Sequence, residues 1–397
     1  MVDHSQAKRR TTLTGSRPSS EREPEGAIAG HLFKVIREQI PRTQEELAEE
    51  LGVDKSTLQG WESGRRPLSS TKAGNLVAMR RRLMLLGGPP GLVDMLATAM
   101  DADLLLGEIL GADTTTARLR EHPLAGWVLT RDTTHMIGWA VSGVLPGVVA
   151  PYATTPIARR GPVSSSPLLE PALRARFFQK LRSASEAAER AGPDSALLRR
   201  QAWYLSSYDS GWDASDWFEG SRRRGALTAT AGWSPHWAEA RSVAASLARQ
   251  GDPTLLRDFI ERSIANHDRA EAANLNYWAH WLGLDRRPQR DDCFMTEHSR
   301  PAWDASALLR ELAVRLDRAV EYTDLYVHSV WALILSRRNL VDSDPYVARE
   351  LAGRVGVVLD DGALSSESRR KLECVYYGLR ASGYSVERGL SWLTTDR

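Results

Sequence analysis

The chain has 397 residues, enough for two or three domains with buried cores, and a formal net charge of +2 that says little about nucleic acid by itself. Its two cysteines, Cys293 and Cys374, give no disulfide framework and are typical of a reducing compartment. No stretch is apolar over the length needed to cross a bilayer, so we expect a cytoplasmic protein without a membrane partner.

Residues 1–26 are rich in Ser, Thr, Arg and Pro and lack the apolar core of a secretion signal. We expect them to form a disordered tail. The basic residues of the tail could follow a minor groove of DNA, although a flexible end is the simpler interpretation.

Residues 44–62 are the most informative stretch, because their apolar spacing fits two helices joined by a tight turn. Gly52 lies at the turn, where a positive φ is easiest for a residue without Cβ. Ala48 lies where the two helices must approach closely. Five apolar side chains fall on the faces that would close over a small shared core: Leu47, Leu51, Val53, Leu58 and Trp61. The pattern predicts a helix-turn-helix and therefore DNA binding.

The starts of both helices can be placed from their capping residues. Thr43 and Glu46 have the spacing of a capping box at the first helix. Asp54 is a candidate N-cap for the second helix, which would place residues 55–57 in its first turn. Side chains in that turn can reach base edges when such a helix lies in the major groove.

We expect the polar side chains of this region to contact DNA. Lys55 and Gln59 are the main candidates for base readout, followed by Ser56. Gln44 lies beside free backbone N–H groups that can bind a phosphate. Thr57 would either contact a phosphate or stabilise the turn.

Positive charge also clusters in the loop that follows. Arg65 and Arg66 are placed for contacts to the DNA backbone, which fix register without reading sequence. The arginine run at residues 80–82 more often marks a solvated helix end than a DNA contact.

At these residues the chain resembles the phage-repressor-like (XRE-type) helix-turn-helix family of transcription regulators, over roughly residues 28–86. The resemblance implies a five-helix domain whose third helix enters the major groove, usually as part of a dimer. It also implies an internal ion pair between Arg37 and Glu62, a carboxylate poorly placed to face phosphates. One departure is Gly60, in the middle of the recognition helix, which weakens the helix by about 1 kcal/mol relative to alanine. This glycine either permits close approach to DNA or means that fewer side chains read bases.

Residues 87–171 are predicted to be a linker and a small, mainly helical connecting region. Residues 87–91, Gly-Gly-Pro-Pro-Gly, break any helix. An apolar helix is expected over about residues 92–109, and residues 127–129 could form one strand of a small hairpin. Residues 142–171 carry six prolines and form a linker, a disordered stretch or a functional lid.

Residues 172–397 are almost wholly helical in pattern, with helices joined by short turns. The arrangement resembles tetratricopeptide-like arrays of helical hairpins, although no thirty-four-residue repeat emerges. Ser234, Asp252 and Asp344 each precede a proline at an expected helix start. Twelve of the thirteen tryptophans lie after residue 120. They either line a groove for a ligand or peptide, or fill wide helix–helix interfaces, which is the simpler interpretation.

The sequence thus predicts an all-α protein: a five-helix repressor-like domain at residues 27–86, then a larger array of helical hairpins that dimerises and senses a signal. It contains no recognisable catalytic motif, metal site or cofactor site, so we do not expect an enzyme. The expected partners are a pseudo-palindromic DNA operator, a second copy of the chain, and a peptide, small molecule or protein effector. The expected location is the cytoplasm, on the nucleoid. The alternative is a protein-interaction array whose small domain docks a partner, which Gly60 and the acidic first helix of the motif favour.

Overall fold

A computed structural model describes residues 25–112, 116–152, 166–211, 216–219, 231–296, 303–316, 322–337, 339–360 and 364–382. Nearly all of the predicted tail, and much of the proline-rich stretch before residue 171, lie outside these ranges. Across the described residues the chain is all α, and no strand is present at residues 127–129. The hairpin interpretation of that segment is therefore wrong: the Val128 N–H instead donates a single hydrogen bond to the Gln289 carbonyl, at 2.8 Å.

The N-terminal part contains four α-helices and a short 3₁₀ turn at Leu68–Ser70. The helices are α1 (Ala27–Gln39), α2 (Gln44–Leu51), α3 (Lys55–Glu62) and α4 (Ala73–Leu85). A tight turn then leads directly into the long helix α5 (Pro90–Gly111), which contains the apolar helix expected at residues 92–109. Residues 90 and 91 of the predicted linker thus belong to α5, and residues 86–89 alone connect α4 to α5.

Ten further α-helices follow α5 in the described part of the chain. They are α6 (Arg131–Ser142), α7 (Pro171–Ala191), α8 (Ala196–Ser206), α9 (Trp237–Arg249), α10 (Thr254–Phe259), α11 (Asp268–Trp281), α12 (Ala305–Leu316), α13 (Thr323–Ser336), α14 (Pro345–Asp360) and α15 (Ser366–Ser382). A π-helical turn, Ile260–Ile264, continues α10. The sequence pattern also predicts a helix over residues 386–393, which lie outside the described part.

The three predicted Xaa-Pro caps behave differently. The Asp344 carboxylate accepts hydrogen bonds from the N–H groups of Tyr346 and Val347, both at 3.1 Å, and so caps α14. Asp252 accepts from the Thr254 N–H at 3.0 Å at the start of α10. The cap predicted at Ser234 is wrong, because α9 begins only at Trp237 and the Ser234 hydroxyl has no hydrogen-bond partner among the described residues.

Two large apolar cores organise the described residues, and a small third cluster, Trp203, Phe218, Val243 and Leu247, lies between α8 and α9. The first joins α1–α4 to α5–α8 without interruption, through residues such as Ile28, Leu58, Leu106 and Phe177. The second is built by α9–α15. The helix-turn-helix region therefore shares its core with the helices that follow it, and the domain boundaries drawn from the sequence stay predictions.

Asp103 on α5 supplies the missing cap of α1. The residue before α1 is Gly26, which has no side chain to accept the free N–H groups of the first turn. The Asp103 carboxylate accepts from the N–H groups of Ile28 and Ala29 instead, each at 2.9 Å, and is 1% exposed. Burial raises the pKa of Asp103 to about 7, although the backbone donors oppose this shift. A buried carboxyl group thus fixes α1 on α5 through hydrogen bonds between residues 75 positions apart.

A second contact of α1 involves a buried histidine. The ring of His31 packs edge-on against Trp139 of α6, with ring centroids 5.1 Å apart. Burial lowers the pKa of His31 to about 4, and the Lys34 charge adds to this. The imidazole is therefore neutral at pH 7.

We expect a His31→Leu variant to resist acid better than the wild type. Because the folded pKa lies below the ordinary value of 6.5, the stabilising contribution of His31 is present above pH 6.5 and is lost as the pH falls toward 4. Between pH 7 and 5 the unfolding free energy of the wild type should fall by about 2 kcal/mol relative to the variant. Urea titrations at both pH values measure this difference. A constant difference would show that His31 does not titrate as described.

Candidate nucleic-acid interface

The turn between α2 and α3 has the geometry expected from its sequence. Thr43 and Glu46 form a complete capping box: the Thr43 hydroxyl accepts from the Glu46 N–H at 3.2 Å, and the Glu46 carboxylate accepts from the Thr43 N–H at 2.7 Å. Gly52 ends α2 with a φ of +65°, a left-handed conformation that explains the glycine. Ala48 is buried between the helices.

Asp54 occupies the N-cap position of α3 with an extended backbone, as its sequence position suggested. Its carboxylate, however, makes no hydrogen bond to the first turn of α3. The prediction of Asp54 as the N-cap is therefore confirmed in position, while the first-turn N–H groups are not occupied by this carboxylate.

A polar relay connects α1, α2 and α3. The Glu62 carboxylate, only 7% exposed, pairs with the Arg37 guanidinium and also accepts from the Gln44 side-chain amide at 2.6 Å. The Gln44 carbonyl oxygen in turn accepts from the Gln59 amide at 3.3 Å. The buried ion pair thus orients Gln44, and Gln44 orients the exposed Gln59. The Gln44 side chain lies in an internal contact here, whereas the sequence suggested a phosphate contact.

The leading end of α3 is open to solvent. Lys55, Ser56 and Gln59 are exposed, and Thr57 is half-buried. Lys55 forms an ion pair with Glu45 at 3.1 Å, in which the two side chains are 48% and 69% exposed. Exposed pairs of this kind contribute about 0–1 kcal/mol, so a phosphate or a base edge can replace Glu45 at little cost.

The loop after α3 folds back along it. The Arg66 N–H donates to the Gly60 carbonyl at 3.0 Å, and the Arg66 guanidinium donates to the Thr57 hydroxyl at 2.6 Å. Gly60 is buried on this side, and a Cβ there would lie 3.0 Å from Cδ of Arg66. The glycine therefore makes room for the stem of Arg66 and does not face the open side of α3. Thr57 stabilises the loop through the same contact.

The other loop arginine is more open. Arg65 is exposed, and its Nε donates to the Ser63 hydroxyl at 3.1 Å. Arg65 and Arg66 extend the cationic surface that begins at Lys55 on the same loop and helix.

Three of the four glutamates of α2 contact neighbouring groups. Glu45 pairs with Lys55, Glu46 closes the capping box, and Glu50 pairs with Arg82 of α4. Two of these contacts join α2 to a cation on another helix. One arginine of the run at residues 80–82 thus has a structural partner inside the motif.

Sequence reasoning placed these polar residues in one region but missed how they are connected. It identified the Arg37–Glu62 pair through the resemblance and treated Gln44 separately. The sequence did contain a signal for this connection. Gln44 begins α2, Gln59 lies in α3, and Glu62 carries a carboxylate that is poorly placed to face phosphates. The helical geometry is what brings all three together.

Comparison with known proteins agrees with this geometry. Residues 33–77 match a family model described as helix-turn-helix, a range that begins within α1 and ends within α4. No curated protein and no solved structure matches the chain. Among the helices that the structure describes, none is both long and apolar enough to cross a membrane. The likeness of the later helices to tetratricopeptide arrays stays a prediction.

Proposed function

We propose that this protein, a DNA-binding helix-turn-helix protein of the XRE type, is a sequence-specific transcription regulator and not an enzyme. Helix α3 would lie in the major groove, with Lys55, Ser56 and Gln59 facing base edges. The observation that carries the proposal is the exposed leading end of α3, where Gln59 is held by Gln44 and the buried Glu62. Such support fixes a side chain before DNA arrives and so lowers the entropic cost of reading a base.

The protein would act as a homodimer in the cytoplasm, on the nucleoid. Two recognition helices about 34 Å apart would match a pseudo-palindromic operator. An apolar face of α4 supports self-association, because Val77 and Met84 lie two turns apart on one side and are 49% and 44% exposed, beside Leu85, which is 77% exposed. Sedimentation of the wild type and of a Leu85→Glu variant tests the dimer, which we expect the variant to weaken.

A gel shift with genomic fragments at moderate salt tests DNA binding directly. We expect a subset of fragments to be retained at protein concentrations that leave the bulk of the DNA free. Genome-wide mapping of the bound sites would then give the operator and its half-site symmetry. Retention of no fragment would favour the alternative of a small docking domain on an interaction array.

The loop arginines would contribute affinity without specificity. We expect Arg65→Ala to weaken binding to operator and to random DNA by the same factor, because phosphate contacts carry no sequence information. The slope of log K against log salt should flatten by about one unit, since one fewer counterion is released. Salt titrations of the wild type and of Arg65→Ala on both DNAs measure this. An unchanged slope would remove Arg65 from the phosphate contacts.

A further inference from the structure

A cavity of about 930 Å³ lies where the two apolar cores meet. Helices α5, α6 and α8 of the first core line one side, and α9, α11, α12 and α13 of the second core line the other. The volume falls in the range of pockets that take small organic ligands. No part of the helix-turn-helix motif lines it.

The cavity walls are rich in aromatic rings. Trp278 and Trp281 of α11 lie beside Tyr277, and the Trp278 ring stacks on Tyr326 of α13 with centroids 4.7 Å apart. Tyr204 of α8 meets Trp281 edge-on at 5.3 Å. Flat apolar surfaces of this kind favour a planar or apolar ligand body.

Two arginines in the wall have no carboxylate partner among the described residues. Arg241 of α9 is 4% exposed, and its guanidinium carbon lies 3.9 Å from the ring centre of Tyr277. Its Nε and Nη2 atoms have no hydrogen-bond partner in the described part of the chain. Arg249, two turns further on, donates only to neutral groups, the Ser207 hydroxyl at 2.8 Å and the Tyr204 hydroxyl at 2.7 Å.

The carboxylates of the cavity wall do not neutralise the charges of Arg241 and Arg249. Among the described lining residues there are four arginines against two aspartates. Asp132 is paired with Arg131, and Asp209 with Arg182 outside the wall. The fourth lining arginine, Arg315, pairs with Glu311 on its own helix.

His135 of α6 also faces the cavity. Burial, followed by the charge of Arg131, lowers the pKa of His135 to about 3, so this ring is neutral at pH 7. The wall therefore carries a buried guanidinium group on Arg241 and a half-buried one on Arg249, whose charges no carboxylate of the described residues balances. Burying a charge without a partner is costly, and an anion in the cavity would remove that cost.

We propose that this cavity binds a small organic anion with a planar, largely aromatic body, whose carboxylate or phosphate group pairs with Arg241 and Arg249. Resting on the proposed function, this anion is the effector of the regulator. A physical connection to the DNA-binding part exists: α6 lines the cavity with Arg131 and His135, and its Trp139 contacts His31 of α1. The two arginines of the cavity thus select an anionic effector, and its aromatic rings select one with a planar body.

The first test compares two fluorescent probes that differ only in an anionic group, 8-anilinonaphthalene-1-sulfonate and the neutral N-phenyl-1-naphthylamine. We expect the full-length protein to bind the sulfonate at one site and at least about tenfold more tightly than the neutral probe, as charge-assisted hydrogen bonds to buried arginine require. Arg241→Met and Arg249→Met should each lower sulfonate affinity about tenfold and leave neutral-probe affinity within about threefold. Equal binding of the two probes, or variants without effect, would overturn the proposal.

Controls separate loss of the site from loss of the fold. Arg120→Met removes an arginine that is 84% exposed and should leave both affinities unchanged. The thermal midpoint of ligand-free Arg241→Met should equal or exceed that of the wild type, because an unpaired buried charge is replaced by an apolar chain. A lower midpoint would mean that stacking of Arg241 on the Tyr277 ring outweighs the cost of burying its charge, and the Arg249 variant then decides on the site.

A second experiment identifies the head group and the link to DNA. 1-Naphthoate and 1-naphthyl phosphate are titrated against the bound sulfonate probe. The better competitor shows which head group the cavity prefers. If neither compound displaces the probe, the proposal is overturned. The preferred anion should then change the affinity for operator DNA in the wild type and not in Arg241→Met. Probe binding without any change in DNA affinity would overturn the effector assignment alone. Failure of DNA binding with an intact probe site would instead overturn the proposed function.

Discussion

The double variant Lys55→Ala, Gln59→Ala is expected to bind DNA without distinguishing its operator from other sequences. Both side chains are exposed at the leading end of α3, and Gln59 is oriented by the Gln44 amide. Each well-oriented contact to a base edge contributes about 1–3 kcal/mol of discrimination, so losing both should remove roughly two or more orders of magnitude of preference. General affinity should persist, because the phosphate contacts proposed for the loop arginines would be untouched.

Competition binding with operator and random duplexes at fixed salt measures this loss. A matched control replaces Gln179 and Arg190, two exposed polar residues of α7, by alanine and should leave the preference unchanged. Operator preference that survives the double substitution in a folded protein would refute the assignment of α3 as the reading helix.

The polar relay predicts an intermediate loss of operator preference for Gln44→Ala, because this variant removes only the support of Gln59.

Replacing Asp103 by asparagine is expected to change how stability depends on pH. Burial raises the pKa of this carboxyl to about 7, well above its ordinary value of 3.8. Because the folded pKa is the higher one, proton binding stabilises the folded state at low pH, and this contribution is lost as the pH rises through 7. The unfolding free energy of the wild type, relative to Asp103→Asn, should therefore fall by about 2–3 kcal/mol between pH 5 and 8.

The comparison with a variant isolates this group from the buried histidines, whose contributions change in the opposite direction. Asp94→Asn on the same helix is the matched control, since that side chain is 84% exposed, and it should show no such change. Asp103→Ala should in addition cost about 1–2 kcal/mol at every pH, because α1 loses its cap. Parallel urea titration curves for wild type and Asp103→Asn at both pH values would refute the titration of Asp103.

The local features of the motif could be predicted because neighbouring residues determine them. A capping box needs only Thr43 and Glu46 three positions apart, and the turn needs only a residue that accepts a φ of +65°, as Gly52 does. The helices were equally accessible, since their apolar periodicity extends over many turns. The predicted start of one helix was wrong: the Ser-Pro pattern predicted a cap at Ser234, but α9 begins at Trp237.

Features that depend on distant residues could not be predicted. Nothing near Asp103 in the sequence points to the first turn of α1, 75 positions earlier. Gly60 was ambiguous because its partner, the stem of Arg66, becomes a neighbour only when the loop folds back. Arg241 and Tyr277 lie 36 positions apart in the sequence and meet only in the folded chain, so the aromatic residues after position 120 could be interpreted as packing or as a pocket.

The cap that α5 provides to α1 has a consequence for the operator. The reading helix is joined to the rest of the chain by a shared core and a buried carboxylate, and no slack tether separates them. In a dimer, the separation of the two reading helices is then a rigid dimension of the whole assembly. Such a protein would require one spacer length between the two half-sites of its operator. Inserting a few base pairs at the operator centre should therefore prevent the two reading helices from binding both half-sites at once.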